Sequence, residues 1–258
     1  MKKRMFVAVL GASLLLATPS FAAHPLITDD PDTQGKGKFQ VEVNGESGFD
    51  KKSVAGVTVK ARLSEIATSL SYGVTKEADL IVGIPYRNYS VKEDGTTIAE
   101  ENGFSDVAIE VKWRFFEKDG FALAFKPGVS LATGDEQKGL GTGKTGYSAL
   151  LIASKELEPL TFLVNLGHIR NENKGDEQVG LWHISAAVLY KATEHLKLVA
   201  NVGQETNTDK NADNEPAFAL AGAIYAFTDS FEIDLGIKAG LNDPEMDTTY
   251  LAGAVFRF

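Results

Sequence analysis

Apolar and polar residues alternate one by one along several stretches of this chain. Leu80, Val82, Ile84 and Tyr86 share a face opposite Asp79, Gly83 and Arg87. Val107, Ile109, Val111, Trp113 and Phe115 lie opposite Asp106, Glu110, Lys112 and Arg114. The same rhythm runs through 121–131, 182–191 and 231–238, and it closes the chain: Tyr250, Ala252, Ala254, Phe256 and Phe258 against Thr249, Gly253 and Arg257. A period of two marks a strand between two different surroundings. Charged residues recur on the second face, whereas a small water-soluble barrel fills its interior with apolar groups. The pattern predicts apolar residues turned to lipid and a polar lumen.

The expected strands fall near 38–48, 60–73, 78–91, 104–116, 120–132, 146–155, 159–170, 181–191, 195–205, 216–227, 230–241 and 248–258. Two of them are indistinct: around 148–155 both faces carry apolar residues, and 217–227 is Ala-rich. The connections form two alternating classes. One is short (74–77, 117–119, 156–158, 192–194, 228–229); the other is mostly longer and polar (50–59, 91–103, 133–145, 171–180, 206–215, 242–247). Tight turns at one end and long loops at the other predict an all-β, transmembrane, antiparallel up-and-down β-barrel of about 12 strands. Tyr72, Tyr190 and Tyr225, with Phe115, Phe121, Phe231 and Phe258, should gather at the short-turn rim as an aromatic belt.

The N-terminus fits export. Met1-Lys2-Lys3-Arg4 is basic, Met5–Ala17 is mostly apolar, and Ser20-Phe21-Ala22 ends in small residues around an aromatic. This predicts a signal peptide over 1–22, an N-terminal periplasmic or plug segment over 23–37, and a barrel over 38–258. Loss of Lys2, Lys3 and Arg4 moves the formal charge from −9 to −12, which disfavours nucleic acid as a partner. The absence of cysteine rules out disulfides and thiol chemistry.

Several motifs fail on inspection. Gly141-Thr142-Gly143-Lys144-Thr145-Gly146 resembles the end of a phosphate loop, but Lys138 stands where its first glycine belongs, and a strand follows instead of a helix. Asp209–Glu215 begins like a calcium loop, with Asn214 at the required glycine and Leu220 at the distal carboxylate. His24, His168, His183 and His195 form no short-spaced metal pair, so neither a metal nor a cofactor is expected. His183 and Ser185 share an inward face, but residues two apart on one strand point in parallel, and no triad is expected. The inward groups Glu110, Lys112, Arg114, Lys126, His183, Glu232, Asp234, Lys238 and Arg257 are the candidate pore lining. An ion-pair network filling a narrow lumen is the competing reading.

The chain resembles the outer-membrane barrel family of the putative MetA pathway of phenol degradation. His24-Pro25-Leu26-Ile27-Thr28-Asp29-Asp30, Thr33–Phe39, Thr133-Gly134-Asp135, Gly139–Lys144 and Asn165-Leu166-Gly167 carry that resemblance. The ending Gly253, Phe256 and Phe258 is similar to the signal read by the outer-membrane barrel assembly machinery, with Leu251 where a polar residue is usual. The resemblance implies a bacterial outer-membrane protein among lipid and lipopolysaccharide that passes aromatic or other hydrophobic compounds; with no energy-coupling element visible in the sequence, small solutes are expected to pass by passive diffusion. The resemblance supplies no catalytic residue. By analogy with hydrocarbon-uptake barrels, residues 23–37 form either a plug or a periplasmic tail. A closed structural or adhesive barrel and a lipid-modifying enzyme are the alternatives.

Overall fold

The computed structural model describes residues 24–54 and 56–258. The expected signal peptide and its cleavage position lie outside the described residues. Thirteen strands follow one another: β1 (Phe39–Val54), β2 (Val57–Gly73), β3 (Ala78–Glu93), β4 (Thr96–Phe104), β5 (Val107–Lys118), β6 (Phe121–Leu131), β7 (Gly146–Leu157), β8 (Leu160–Arg170), β9 (Gly180–Lys191), β10 (Leu196–Glu205), β11 (Ala217–Thr228), β12 (Phe231–Gly240) and β13 (Thr248–Arg257). A 3-10 turn, Glu136–Lys138, interrupts the β6–β7 connection.

Every neighbouring pair is antiparallel, and the sheet closes on itself. β13 pairs with β1 from Gln40↔Arg257 to Phe49↔Thr248, and β2 pairs with β3. β4 and β5 both lie along β3, with Ser105 and Asp106 between them. They form one interrupted stave, so the cylinder has twelve. Closure removes both free edges, leaving the ladder bonds inside the wall satisfied where no water can reach them.

The long-loop end differs from expectation in two places. The loops expected at 50–59 and 91–103 are instead strand extensions. β1 and β2 stay paired to Val54↔Val57, and β3 and β4 meet at Asp94 and Gly95, whose φ angles of 47° and 85° suit a tight hairpin turn. Their outward face carries charged residues such as Lys60 and Arg62, and their inner face holds only a small apolar cluster, Val59, Ala61 and Val91, so the alternation that betrays a strand is weak. The ladder itself depends on backbone groups and needs no apolar face.

Below these extensions the outward face is apolar: Trp113, Ile184 and Leu235 are 52%, 56% and 64% exposed. Such a surface suits hydrocarbon and not water. Aromatics ring the short-turn rim, where Phe39 meets Tyr72 at 4.6 Å, Tyr225 meets Phe227 at 4.9 Å and Phe231 meets Phe256 at 4.8 Å between centroids. A second ring at the opposite end contains Tyr86 against Phe104 and His168 against Trp182.

The expectation of a uniformly polar lumen is corrected. Leu163, Ala187, Val199, Phe218, Leu220, Ile224 and Leu251 form a buried apolar patch on the inner side of β8–β11 and β13. They explain why 217–227 showed no clear face: Phe218, Leu220 and Ile224 point inward and are buried, while Ala221, Tyr225 and Phe227 point outward. In 148–155, Ile152 is likewise buried on the inner side and Leu151 is exposed outside.

A sealed twelve-stave wall should resist unfolding by detergent at room temperature. Unboiled protein is expected to migrate ahead of boiled protein on a detergent gel; one band position under both conditions would contradict closure.

Candidate functional site

Residues 24–37 run through the bore and contact inward side chains from most of its circumference. The segment enters at the short-turn rim, where the Gly37 amide donates to the Gly73 carbonyl at 2.7 Å and the Thr33 hydroxyl donates to the Lys76 carbonyl at 2.8 Å. Close approach here requires glycine. A Cβ on Gly73 would stand 1.9 Å from the Gly35 carbonyl oxygen, and Gly35 and Gly37 adopt φ of 83° and 81°. Farther in, the Gln34 amide donates to Asp79 at 2.9 Å.

Asp29 is the centre of the arrangement and is fully buried. Its two carboxylate oxygens face separate cations: Lys112 Nζ on β5 at 2.8 Å and Lys126 Nζ on β6 at 2.7 Å. Lys112 also donates to the Asp30 carbonyl at 2.9 Å, and Glu110 stands 3.5 Å from Lys126. The backbone on either side is read by two buried asparagines. Asn165 accepts from the Asp29 amide at 2.6 Å and donates to the Asp29 carbonyl at 2.9 Å. Asn201 accepts from the Ile27 amide at 2.7 Å and donates to the Thr28 hydroxyl at 2.7 Å. Two charges taken from water cost several kcal/mol each; the geometry here supplies both partners and satisfies the backbone between them.

The other end of the segment packs against the apolar wall. Leu26 is 1% exposed within the Leu163–Leu251 patch. Pro25 fits where Gly222 and Gly236 lack side chains; a Cβ on either glycine would approach it to 2.7 Å. His24 Nδ1 lies 2.5 Å from Asp234 Oδ1. Leu251, the departure from the usual C-terminal pattern, is a member of this patch.

Each candidate lining residue sits on the inner face, and four of the nine meet the N-terminal segment: Lys112, Lys126, Asp234 and Arg114, whose Nη1 is 3.5 Å from Asp32. The remaining pairs join the wall to itself or to its loops. Arg257 meets Glu232 at 2.9 Å and Lys238 meets Glu245 at 3.1 Å. His183 corrects the expectation of parallel side chains. Its Nδ1 lies 2.7 Å from Glu205 and its Nε2 2.8 Å from the Ser185 hydroxyl. The Ser185 hydroxyl is buried, while His183 and Glu205 line a cavity of the lumen.

Those cavities lie on opposite sides of the segment. One, about 420 Å³, opens toward the long loops and is lined by Ile27, Arg87, Lys126, Leu150, Ile169 and His183 among others. The second, about 870 Å³, opens toward the short turns and is lined by Asp30, Asp32, Gln34, Lys112, Arg114 and Glu232 among others. The 133–145 loop, which carries one of the family-like motifs, folds over the first. Asp106, at the β4–β5 break, accepts from the Gly134 and Thr142 amides at 2.9 and 2.8 Å. Glu136 bonds Lys174 of the next loop at 2.6 Å, and that ammonium holds its carboxyl below the usual carboxylate range.

Sequence reasoning missed Asp29, Asn165 and Asn201 as the residues that organise the lumen. Asp29 and Asn165 both fall within the family-like motifs His24–Asp30 and Asn165-Leu166-Gly167, which is the signal the sequence offered for them.

Lys126→Met should leave Asp29 with one cation, at a cost approaching the roughly 3–5 kcal/mol of a broken buried pair. Hydrogen exchange followed by mass spectrometry should show amides 27–29 exchanging at least about tenfold faster, with the wall strands unchanged. Unaltered exchange over 24–37 would refute the role given to the pair.

Among solved structures, the chain is similar to the COG4313 outer membrane channel from Pseudomonas putida F1: 15% identity, 89% of this chain and 98% of that one covered, TM-score 0.69. It is also similar to the translocator domain of the autotransporter NalP from Neisseria meningitidis (13% identity, 100% and 95% covered, TM-score 0.55) and to the NanC porin (11%, 84% and 98%, 0.53). At these identities the likeness is one of fold, and that fold implies a lipid environment. No curated protein matches the sequence. The model of the family described as "Putative MetA-pathway of phenol degradation" matches residues 26–258, from the buried Leu26 to the last aromatic, and the chain belongs to that family.

Proposed function

We propose that the protein is an outer-membrane channel that passes small solutes, aromatic or hydrophobic compounds among them, by passive diffusion, and that residues 23–37 are its displaceable constriction. The observation that carries this reading is the pair of cavities, about 420 and 870 Å³, separated by one thin stretch of chain around residues 27–30. A bore divided by a segment joined to the wall at one rim opens further when that segment moves. The segment is held by side chains and packing instead of by membership of the sheet, so its release leaves the wall intact.

In this reading residues 1–22 are removed on export and 38–258 form the barrel, with the short turns on the periplasmic side. Gly253, Phe256 and Phe258 are read by the assembly machinery, and lipopolysaccharide faces the outer girdle. Lys112, Arg114, Lys126, His183, Glu110, Glu232, Asp234, Lys238 and Arg257 line the path and set which solutes pass. Transport is passive and without catalysis. A second reading, a permanently sealed structural barrel, is favoured by one feature alone: the complete burial of Asp29 between two cations.

Asp29→Lys would put a third ammonium beside Lys112 and Lys126, and like charges at this range repel strongly. Reconstituted into planar bilayers, this variant should conduct in discrete steps, with open time raised several-fold over the unaltered protein. Silence of both proteins across repeated preparations would decide for the sealed barrel.

A further inference from the structure

The N-terminal segment is seated as a ligand would be, and its chemistry describes what replaces it. From Leu26 to Asp29 it presents an apolar body followed by one carboxylate. The wall answers with two matching surfaces. On one side stand the buried apolar groups Leu163, Val199, Phe218, Leu220, Ile224 and Leu251. On the other stand the Lys112 and Lys126 ammoniums, 2.8 and 2.7 Å from the two Asp29 oxygens.

Taking this segment as the movable constriction argued above, we infer that the channel's preferred solutes are amphipathic monocarboxylates, an aromatic or branched aliphatic body bearing one carboxylate, which displace Asp29 from Lys112 and Lys126. Three comparisons lead there. A neutral hydrocarbon covers the apolar wall but removes the one carboxylate that both ammoniums contact, leaving Lys126 with Glu110 at 3.5 Å and Lys112 with Glu42 and Asp79 nearby, and an incompletely compensated buried charge is unfavourable. A sugar satisfies the lysines in part and sets its hydroxyls against a wall that cannot bond them. An organic cation meets repulsion at the narrowest point. Only an anion with an oily body reproduces both halves of what the segment now provides. The cavity on the long-loop side, about 420 Å³ with Ile27 and Lys126 in its floor and wall, has room for such a molecule before displacement. Asn165 and Asn201, which bond the peptide backbone, are free to receive a second polar group of the solute once the segment leaves.

The test uses full-length Asp29→Asn protein in planar bilayers, with 4-phenylbutyrate, its neutral amide 4-phenylbutanamide and phenylbutylammonium as probes of current block. The carboxylate should block at a concentration on the order of tenfold below that of the amide. The cation should be weakest, and adding Lys126→Met to the same protein should erase the preference. Equal block by acid and amide in a conducting channel would overturn this inference and leave the channel reading standing. Absence of current from Asp29→Asn and Asp29→Lys alike would remove both. A measurement on the unaltered protein stands apart from the folding of any variant: 4-phenylbutyrate should speed hydrogen exchange at amides 27–29 while the amide analogue does not, and identical exchange with both compounds would also overturn the inference.

Discussion

The lumen is organised around one carboxylate shared by two ammoniums. Asp29 reaches Lys112 and Lys126, on adjacent strands of a wall it does not belong to, and is wholly enclosed there. An isolated charge in that position would be prohibitive, and so would the two lysines without their acid. Each therefore requires the other. The mutual requirement fixes where the N-terminal segment lies and how Leu26 reaches the apolar wall. It also fixes where the bore divides into an outer and an inner cavity. The hydrogen bonds from Asn165 and Asn201 refine that position, mostly through backbone groups and, at Asn201, through the Thr28 hydroxyl.

The barrel places opposite demands on its two surfaces. Outside, exposed Trp113, Ile184 and Leu235 require hydrocarbon. Inside, charge is concentrated on β1–β3, β5, β6, β12 and β13, while β8–β11 turn aliphatic and aromatic groups toward the axis. This asymmetry separates the lumen from a plain water-filled pore, whose lining is polar all round. It gives the interior a charged side and an oily side within one cross-section, and the segment touches both.

Much of the wall was legible in the sequence because its two surroundings differ so sharply. β3, β5, β9, β12 and β13 alternate cleanly, and their inward and outward residues fall as the pattern requires. Where the surroundings become alike, the pattern fades. Around the extensions of β1, β2, β3 and β4 the outside is polar and the inward apolar residues are few, Val59, Ala61 and Val91 among them, so ladder pairing leaves only a weak mark in hydropathy. In β7 and β11 the lumen is as apolar as the lipid, and the two faces look the same from sequence. The central role of Asp29 was hidden for another reason. It depends on residues 83 and 97 positions away, and nothing local to Ile27–Asp30 announces them. The His183 contacts were obscured by backbone reasoning alone, which gives the direction of Cβ but not the turn of a ring toward its neighbour.

The segment joins β1 at the rim through which it enters, beside Gly73, and both Gly35 and Gly37 there occupy conformations that other residues rarely adopt. From residue 24 onward it is a finger curled into a ring, and its His24 end lines the same cavity toward the short turns as Gln34 and Lys38 do. With residues 1–22 removed as proposed, such a finger can slide in after the cylinder has sealed and slide out again without unzipping a single stave. Biogenesis of the wall and docking of the finger are separable events, joined only by a short swivel of two glycines.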